Sequence, residues 1–126
     1  MSTSEIATVL AWHDAVNSND IETLLALSSD DIVLPTGDDD EDQGLDELRE
    51  WATTAGVTFR PGRMFVHEGI VVVEETATWA ADPEHPRSEA IAFRVVGDHV
   101  VSVYRHDTLE EAFEATRLNE GDLYEG

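Results

Sequence analysis

The stretch that decides the fold runs from Glu89 to His106, EAIAFRVVGDHVVSVYRH. It holds two runs rich in β-branched residues, separated by Gly97-Asp98, a pair typical of a tight hairpin turn. We therefore predict antiparallel strands over 89–96 and 99–106. Upstream, 70–80 (IVVVEETATWA) and 57–65 read as two more strands, the earlier one with a turn or bulge at Pro61-Gly62.

The half of the chain before these strands has apolar residues at helical spacing instead. It predicts three helices: the first opens at Ser2 with Glu5 in a capping box, the second is capped by Asn19, and the third begins near Leu45. A short strand is expected at 32–34.

Asp107, with Glu110 three residues later, is predicted to cap a short C-terminal helix. The segment between the third and fourth strands, Asp82 to Pro86, is predicted as a rigid loop. Helices segregated from meander strands indicate an α+β fold, and the length fits a single domain over residues 1–126. We expect a curved antiparallel sheet forming a cone, wrapped by the three N-terminal helices and the short C-terminal one.

The charge of the chain is extreme. There are 28 Asp and Glu against seven basic residues, all of them arginine, for a formal net charge of −21 on 126 residues. Self-repulsion on this scale weakens a compact fold, and salt screens it. We interpret the acidity as adaptation to a salty cytoplasm; the alternative is codon bias in a GC-rich genome.

Composition also excludes several classes of function. Cysteine is absent, which removes disulfides and thiolate chemistry. No apolar run is long enough to span a membrane, no secretory leader is recognisable, and the acidic surface disfavours nucleic acid. The acidic run Asp38 to Asp42 lacks the alternating ligands and central glycine of a calcium loop. The five histidines show no metal-ligand spacing. We predict no metal and no cofactor.

Several segments resemble the NTF2-like superfamily, in particular its SnoaL-like branch of polyketide cyclases and ketosteroid-isomerase-like proteins. The segments that carry the resemblance are AWHDAVNSND (11–20), SDDIVLP (29–35), GLDEL (44–48) and VVSVYRHDTLEEA (100–112). The resemblance covers nearly the whole chain and implies the cone fold, but this superfold hosts many functions.

Departures from that pattern narrow the function. The resemblance places the isomerase base at Thr36, the second pocket acid at Ile91 and the first-helix tyrosine at Trp12, so the family's enolisation residues are lost. The epoxide-hydrolase branch needs an acid two places after an arginine on one strand, and Val96 stands there after Arg94.

Alternation divides the side chains of each strand between two faces, and the register implied by the resemblance places one of these sets inside the cone. Val71, Val73, Glu75, Ala77 and Trp79 form one inward set; Glu89, Ile91 and Phe93 form the next; Val101, Val103, Arg105 and Asp107 form the last. Glu75 and Arg105 are then polar members of a mostly apolar pocket. Two alternatives stay open for Glu75. It forms a structural ion pair with Arg105, or it is unpaired and burial raises its pKa into the range of a general acid or base.

Three functional hypotheses follow, and whether the chain is an enzyme stays open. The first is a protein that binds a small apolar or aromatic molecule; its ligand-binding residues are Trp12, Val73, Trp79, Ile91, Phe93 and Arg105. The second is an acid/base isomerase, cyclase or hydratase using Glu75 and His13 as catalytic residues. The third is a non-catalytic interaction module. Each is compatible with a homodimer formed through the outer face of the sheet, which carries Ile70, Val72, Thr76, Thr78 and Tyr104.

Overall fold

The computed structural model describes residues 2–34, 42–54 and 56–124. Three helices come early in the chain, α1 (Ser2–Asn17), α2 (Ile21–Ala26) and α3 (Leu45–Thr54), and α4 (Leu109–Thr116) follows the strands. A short 3-10 helix, Glu120–Asp122, closes the described chain. These helices confirm the predicted α+β arrangement. None of the described helices has the length and apolarity needed to cross a bilayer.

Six strands form one curved, unclosed sheet in the order β2-β1-β6-β5-β4-β3. Their bounds are Ser28–Leu34 for β1, Asp42–Gln43 for β2, Val57–His67 for β3, Ile70–Trp79 for β4, Asp82–Val96 for β5 and His99–His106 for β6. Strands β3 to β6 are antiparallel neighbours, as predicted, and the register of β3 shifts between Pro61 and Met64 where a bulge was expected.

Two details of the sheet differ from the prediction. Strand β1 pairs in parallel with β6, so the sheet is mixed. In the chain, β1 and β6 are separated by α3 and four strands, which provides the long crossover that parallel pairing requires. The predicted loop 82–86 is instead the start of β5, because the β4–β5 hairpin continues past the core with Ala77 opposite Arg87 and Trp79 opposite Asp82.

The two faces of the sheet carry separate cores. The inner face, covered by α1, α2 and α3, holds the larger core, which includes Trp12, Leu48, Val73 and Phe93. The outer face carries a smaller core under α4, where Phe65 contacts Phe113 edge-on at 4.9 Å. The outer-face residue Val72 was expected to be open for dimerisation but is fully buried, because α4 packs over it.

Two predicted caps are displaced by one residue. Asn19 has a positive φ of 58°, and Asp20 caps α2 by accepting from the Thr23 N–H at 3.3 Å. The predicted cap Asp107 was also wrong: Thr108 caps α4, accepting from the Glu111 N–H at 3.1 Å. In both cases the capping side chain lies next to the first helical residue, the position that lets it reach the free N–H groups of the first turn.

Candidate functional site

The polar centre of the inner face is a direct pair between His13 of α1 and Glu75 of β4. The Nε2 atom of His13 lies 2.6 Å from Oε2 of Glu75, and the two side chains are 2% and 0% exposed. Helical spacing points His13 at the sheet, and strand alternation points Glu75 at the helix. Sequence reasoning placed both residues inward; the structure adds that they bind each other.

The second nitrogen of His13 fixes where the protons are. Its Nδ1 lies 2.7 Å from the carbonyl oxygen of Val9, which can only accept, so Nδ1 carries a hydrogen. A proton must then also lie between Nε2 and Oε2, since otherwise two lone pairs would face each other in a buried site. The pair therefore holds one shared proton, either as imidazolium and carboxylate or as neutral imidazole and carboxylic acid.

The pKa shifts of the two groups agree with this shared proton. Burial raises the pKa of Glu75, the hydrogen bond from His13 opposes that rise, and nearby Glu89 adds to it. Burial by itself lowers the pKa of His13, but the hydrogen bond and attraction to Glu75, with the bond to Val9, carry it above its ordinary value. Both shifts favour keeping the proton, so the pair retains it to a higher pH than the separate groups would.

A second buried carboxylate lies directly beside Glu75. Glu89 of β5 is opposite Glu75 in the β4–β5 register, and its side chain is 6% exposed. The Nε atom of Arg105 donates to its Oε2 at 2.9 Å, and Nη2 of Arg105 lies 2.8 Å from the same oxygen in an ion pair. The guanidinium of Arg105 also lies 5.5 Å from the ring centre of Trp79, at cation–π distance.

Glu75 and Glu89 with their partners His13 and Arg105 are called the polar row below. The row lies where the packed core ends: one step deeper, Val73 pairs with Ile91, and in the other direction β5 from Asp82 to Ser88 is exposed. Arg105 is 36% exposed, so it is the member of the row that reaches solvent, and the half-buried Trp79 lies beside it. The polar row thus forms the floor of the mouth of the cone.

The Oε1 atoms of Glu75 and Glu89 have no hydrogen-bond partner among the described residues, and both are buried. Each carboxylate uses only its Oε2 atom, toward His13 and Arg105 respectively. An unpaired buried carboxylate oxygen is costly, about 1–3 kcal/mol and more when charged. The polar row therefore presents two acceptor atoms that the described residues do not satisfy.

The predicted apolar lining is packed solid in this structure. Trp12, His13, Val73, Ile91 and Phe93 are each no more than 1% exposed. Trp12 contacts Phe93 at 5.4 Å, and its indole N–H donates to Ser28. Trp51 stacks on Trp12 at 6.0 Å.

Open space lies beside this packed lining. A groove of about 570 Å³ is on the outer face beside Tyr104 and Arg117, and a cleft of about 330 Å³ is at the rim by Trp51 and Val57. Another cleft of about 330 Å³ is lined in part by Glu75, with Pro61 and Ser88.

The structure brings together every predicted site residue but changes two relationships. Neither alternative for Glu75 holds: it is not paired with Arg105 and it is not unpaired, because Glu75 binds His13 and Arg105 binds Glu89. Glu89 was recognised as inward-facing but not as a site residue, although its place directly across from Glu75 was available as a signal. Thr36 and most of the acidic run 38–42 lie outside the described residues. Within the described part of the chain, no three potential ligands cluster as a metal site would require.

Comparison with known proteins identifies a family that the chain matches. A model of the SnoaL-like domain matches residues 9–108. No curated protein matches the chain. Among solved structures, a Mycobacterium tuberculosis protein in complex with estradiol-17beta-hemisuccinate is similar at TM-score 0.73 and 14% identity, over 87% of this chain and 97% of that one.

Two further solved structures are similar in the same way. A putative ketosteroid isomerase from Kribbella flavida gives TM-score 0.72 at 14% identity, over 82% of this chain and 77% of that one. An LEH-like epoxide hydrolase from Mycobacterium tuberculosis gives TM-score 0.70 at 17% identity, over 90% and 89%. At these identities the likeness establishes the fold, which is the NTF2-like cone.

Proposed function

The chain belongs to the SnoaL-like domain family, and on that premise we propose that it binds a small, largely apolar molecule at the mouth of its cone. The observation that carries the proposal is the polar row. A buried ion pair is seldom more stabilising than well-packed apolar residues of similar volume. Two such pairs side by side, each with a buried unpartnered oxygen, are therefore poorly explained by stability and well explained by recognition.

The surroundings of the row suit an apolar ligand. Trp79 and Phe59 lie toward the mouth on β4 and β3, and the aliphatic Val73 and Ile91 lie one step below the row. Trp79 is half-buried beside the row, with the Arg105 guanidinium 5.5 Å from its ring centre, so a ligand at the mouth would meet an aromatic ring and an arginine already paired with Glu89. The solved relative that holds a steroid derivative supports a ligand of this kind.

The chain supplies its own reporter for a binding test. Its three tryptophans, Trp12, Trp51 and Trp79, all belong to or border the inner core. Titration with naphthalene and with a steroid, in molar KCl, should shift or quench the tryptophan emission and raise the melting temperature. Trp79→Phe removes the reporter nearest the polar row and should remove most of the signal. Unchanged emission and melting temperature up to the solubility limit of both compounds would contradict the proposal.

A second candidate function, proton transfer to a bound molecule, is favoured by the shared proton of His13 and Glu75. Glu75 would touch the ligand through Oε1 as the catalytic acid or base, with His13 as the positioning residue that holds its proton. Once a substrate is known, Glu75→Gln should abolish turnover while binding persists, because the amide can still donate to His13 but cannot give up a proton. Unchanged turnover in Glu75→Gln would remove Glu75 from this role.

We further propose that the protein works in a salty cytoplasm as a homodimer. The part of the outer face left open by α4, with Thr76, Thr78 and the 42%-exposed Tyr104, is the proposed contact. Light scattering in molar KCl should give the mass of two chains, and the mass of one chain would contradict the dimer without touching the ligand proposal.

A further inference from the structure

We propose that the ligand is anchored by an uncharged hydrogen-bond donor, a hydroxyl or carboxamide N–H, held between the Oε1 atoms of Glu75 and Glu89. This inference rests on the proposed function and specifies the ligand's polar group. It also makes Glu89 a recognition residue of the site.

The first step is the geometry of the two acceptors. Glu75 and Glu89 are directly opposed on antiparallel strands and point to the same face. Opposed residues have Cβ atoms about 4.5–5.5 Å apart. Both Oε2 atoms are already engaged, by His13 and by Arg105, so the two Oε1 atoms are the acceptors left free among the described residues. A single donor group can lie between side chains this close.

The second step is the charge of the site. Glu89 and Arg105 cancel, and Glu75 with His13 is neutral overall in either placement of the shared proton. The polar row is therefore neutral before a ligand arrives. An anionic ligand would face two carboxylate oxygens, while the guanidinium that would attract it is committed to Glu89.

A cation is disfavoured for a different reason. It would make the buried cluster net positive unless the shared proton left the pair. Loss of that proton would set the Nε2 lone pair of His13 against Oε2 of Glu75 at 2.6 Å, since Nδ1 is held as the donor by the carbonyl of Val9. A carboxamide NH₂ can donate one hydrogen to each Oε1 atom, and a hydroxyl can donate to one of them, without changing the charge of the row.

The test compares one apolar skeleton carrying different polar groups. Wild-type protein in molar KCl is titrated calorimetrically with 2-naphthylmethanol, 2-naphthamide, 2-naphthoate, 2-naphthylmethylammonium and naphthalene. We expect the alcohol and amide to bind at least about tenfold more tightly than the acid, the ammonium and naphthalene, which corresponds to about 1.4 kcal/mol.

The variant Glu89→Gln should reverse the preference between the carboxamide and the carboxylate ligand. The amide oxygen of the new side chain still accepts from Arg105, while its NH₂ replaces a free acceptor by a donor. The affinity of 2-naphthamide should fall at least about tenfold, because one of its N–H groups then faces another donor, and the affinity of 2-naphthoate should rise. The alcohol should lose less, because its oxygen can accept from the new NH₂ group. Glu74→Gln is the matched control, since it makes the same charge change one residue from Glu75 but on the outer face, and it should leave all affinities unchanged.

The failures of the two proposals are distinguishable. If naphthalene and all its derivatives bind equally, or if 2-naphthoate or 2-naphthylmethylammonium binds most tightly, the neutral-donor inference is overturned and the apolar site stands. If none of the five compounds binds, the proposed function fails and this inference fails with it. These outcomes come from the wild-type protein and do not depend on whether Glu89→Gln folds.

Discussion

Glu74 and Glu75 are neighbours on the same strand, yet they occupy opposite chemical environments. Glu74 faces outward, is 41% exposed, and accepts from Nε of Arg63 at 2.7 Å. Glu75 faces inward, is buried, and binds His13 at 2.6 Å. The hydrogen bond to Arg63 lowers the pKa of Glu74, whereas burial raises the pKa of Glu75. One step along a strand thus reverses the direction of the shift.

The comparison teaches which surroundings make a carboxylate useful. Glu74 lies beside Arg63, which is always charged, and is surrounded by water, so Glu74 stays ionised. The two form a surface ion pair that contributes little to stability. Glu75 has a partner that can hold or release the same proton, and water is excluded. The inner glutamate is therefore the one whose protonation a ligand can sense, and the outer one is its natural control.

The largest effect is expected on the free energy of unfolding when the pair between His13 and Glu75 is broken. Glu75→Ala leaves the buried His13 without its acceptor and opens a void, and removing one member of a buried pair typically costs about 3–5 kcal/mol. We expect that loss in the free energy of unfolding, measured by urea denaturation in molar KCl. Glu74→Ala, which removes the neighbouring carboxylate from the outer pair, should change the unfolding free energy by no more than the error of the measurement.

A conservative substitution at the same position separates the carboxylate and its shared proton from the volume of the side chain. Glu75→Gln retains a donor toward Nε2 of His13 and should recover most of the stability that Glu75→Ala loses. Equal losses in the two variants would mean that the volume of the side chain contributes little and that the carboxylate itself, with its shared proton, is what His13 requires.

The next effect is the dependence of the melting temperature on salt, which should differ between exposed and buried carboxylates. Raising KCl from about 0.1 M to about 1 M shortens the screening length from about 10 Å to about 3 Å, which relieves repulsion among exposed carboxylates. With a net charge of −21, the melting temperature should rise by about 5 °C or more, equivalent to about 1 kcal/mol in a domain of this size. Scanning calorimetry across this range measures the shift.

The deficit caused by Glu75→Ala should persist at high salt, because the buried pair is poorly screened. A flat melting temperature would favour codon bias over salt adaptation as the origin of the acidity. A deficit that vanishes with salt would place Glu75 in contact with solvent.

The order of elements was predictable because each rests on a local signal. Gly97-Asp98 between two β-rich runs gave the β5–β6 hairpin, and Asp98 has the positive φ such a turn needs. Strand alternation, with the register implied by the resemblance, assigned Glu75 and Glu89 to the inner face. Local signals misplaced the caps of α2 and α4 by one residue, where two candidate capping side chains stand side by side.

The pairings inside the site were not predictable, because they depend on register and on packing between distant elements. His13 and Glu75 are 62 residues apart, and their contact requires α1 to lie over β4 at the right height. Because Glu75 is bound to His13, Arg105 of β6 pairs instead with Glu89, its diagonal neighbour on β5. The parallel pairing of β1 with β6 has the same origin, since it is decided by the assembled sheet and not by residues 28–34.

The smallest expected effect is a pH dependence specific to the inner pair. The unfolded chain releases the His13 proton near the ordinary value of 6.5, whereas the folded chain keeps it, because the hydrogen bond to Glu75 outweighs burial and raises the pKa of His13. The folded state then binds more protons than the unfolded state, so stability is fully present below the unfolded pKa and falls as pH rises. One retained proton corresponds to at most about 1.4 kcal/mol per pH unit.

Urea denaturation between about pH 6 and pH 9 measures this slope, and the two neighbouring glutamates again supply the comparison. In Glu75→Gln the amide donates to a neutral His13, no proton is shared, and the falling slope should disappear. In Glu74→Gln the inner pair is intact and the slope should match the wild type, since Glu74 stays ionised throughout this range. If stability instead rose with pH in the wild type, the shared proton between His13 and Glu75 would be refuted, and with it the neutral charge of the polar row.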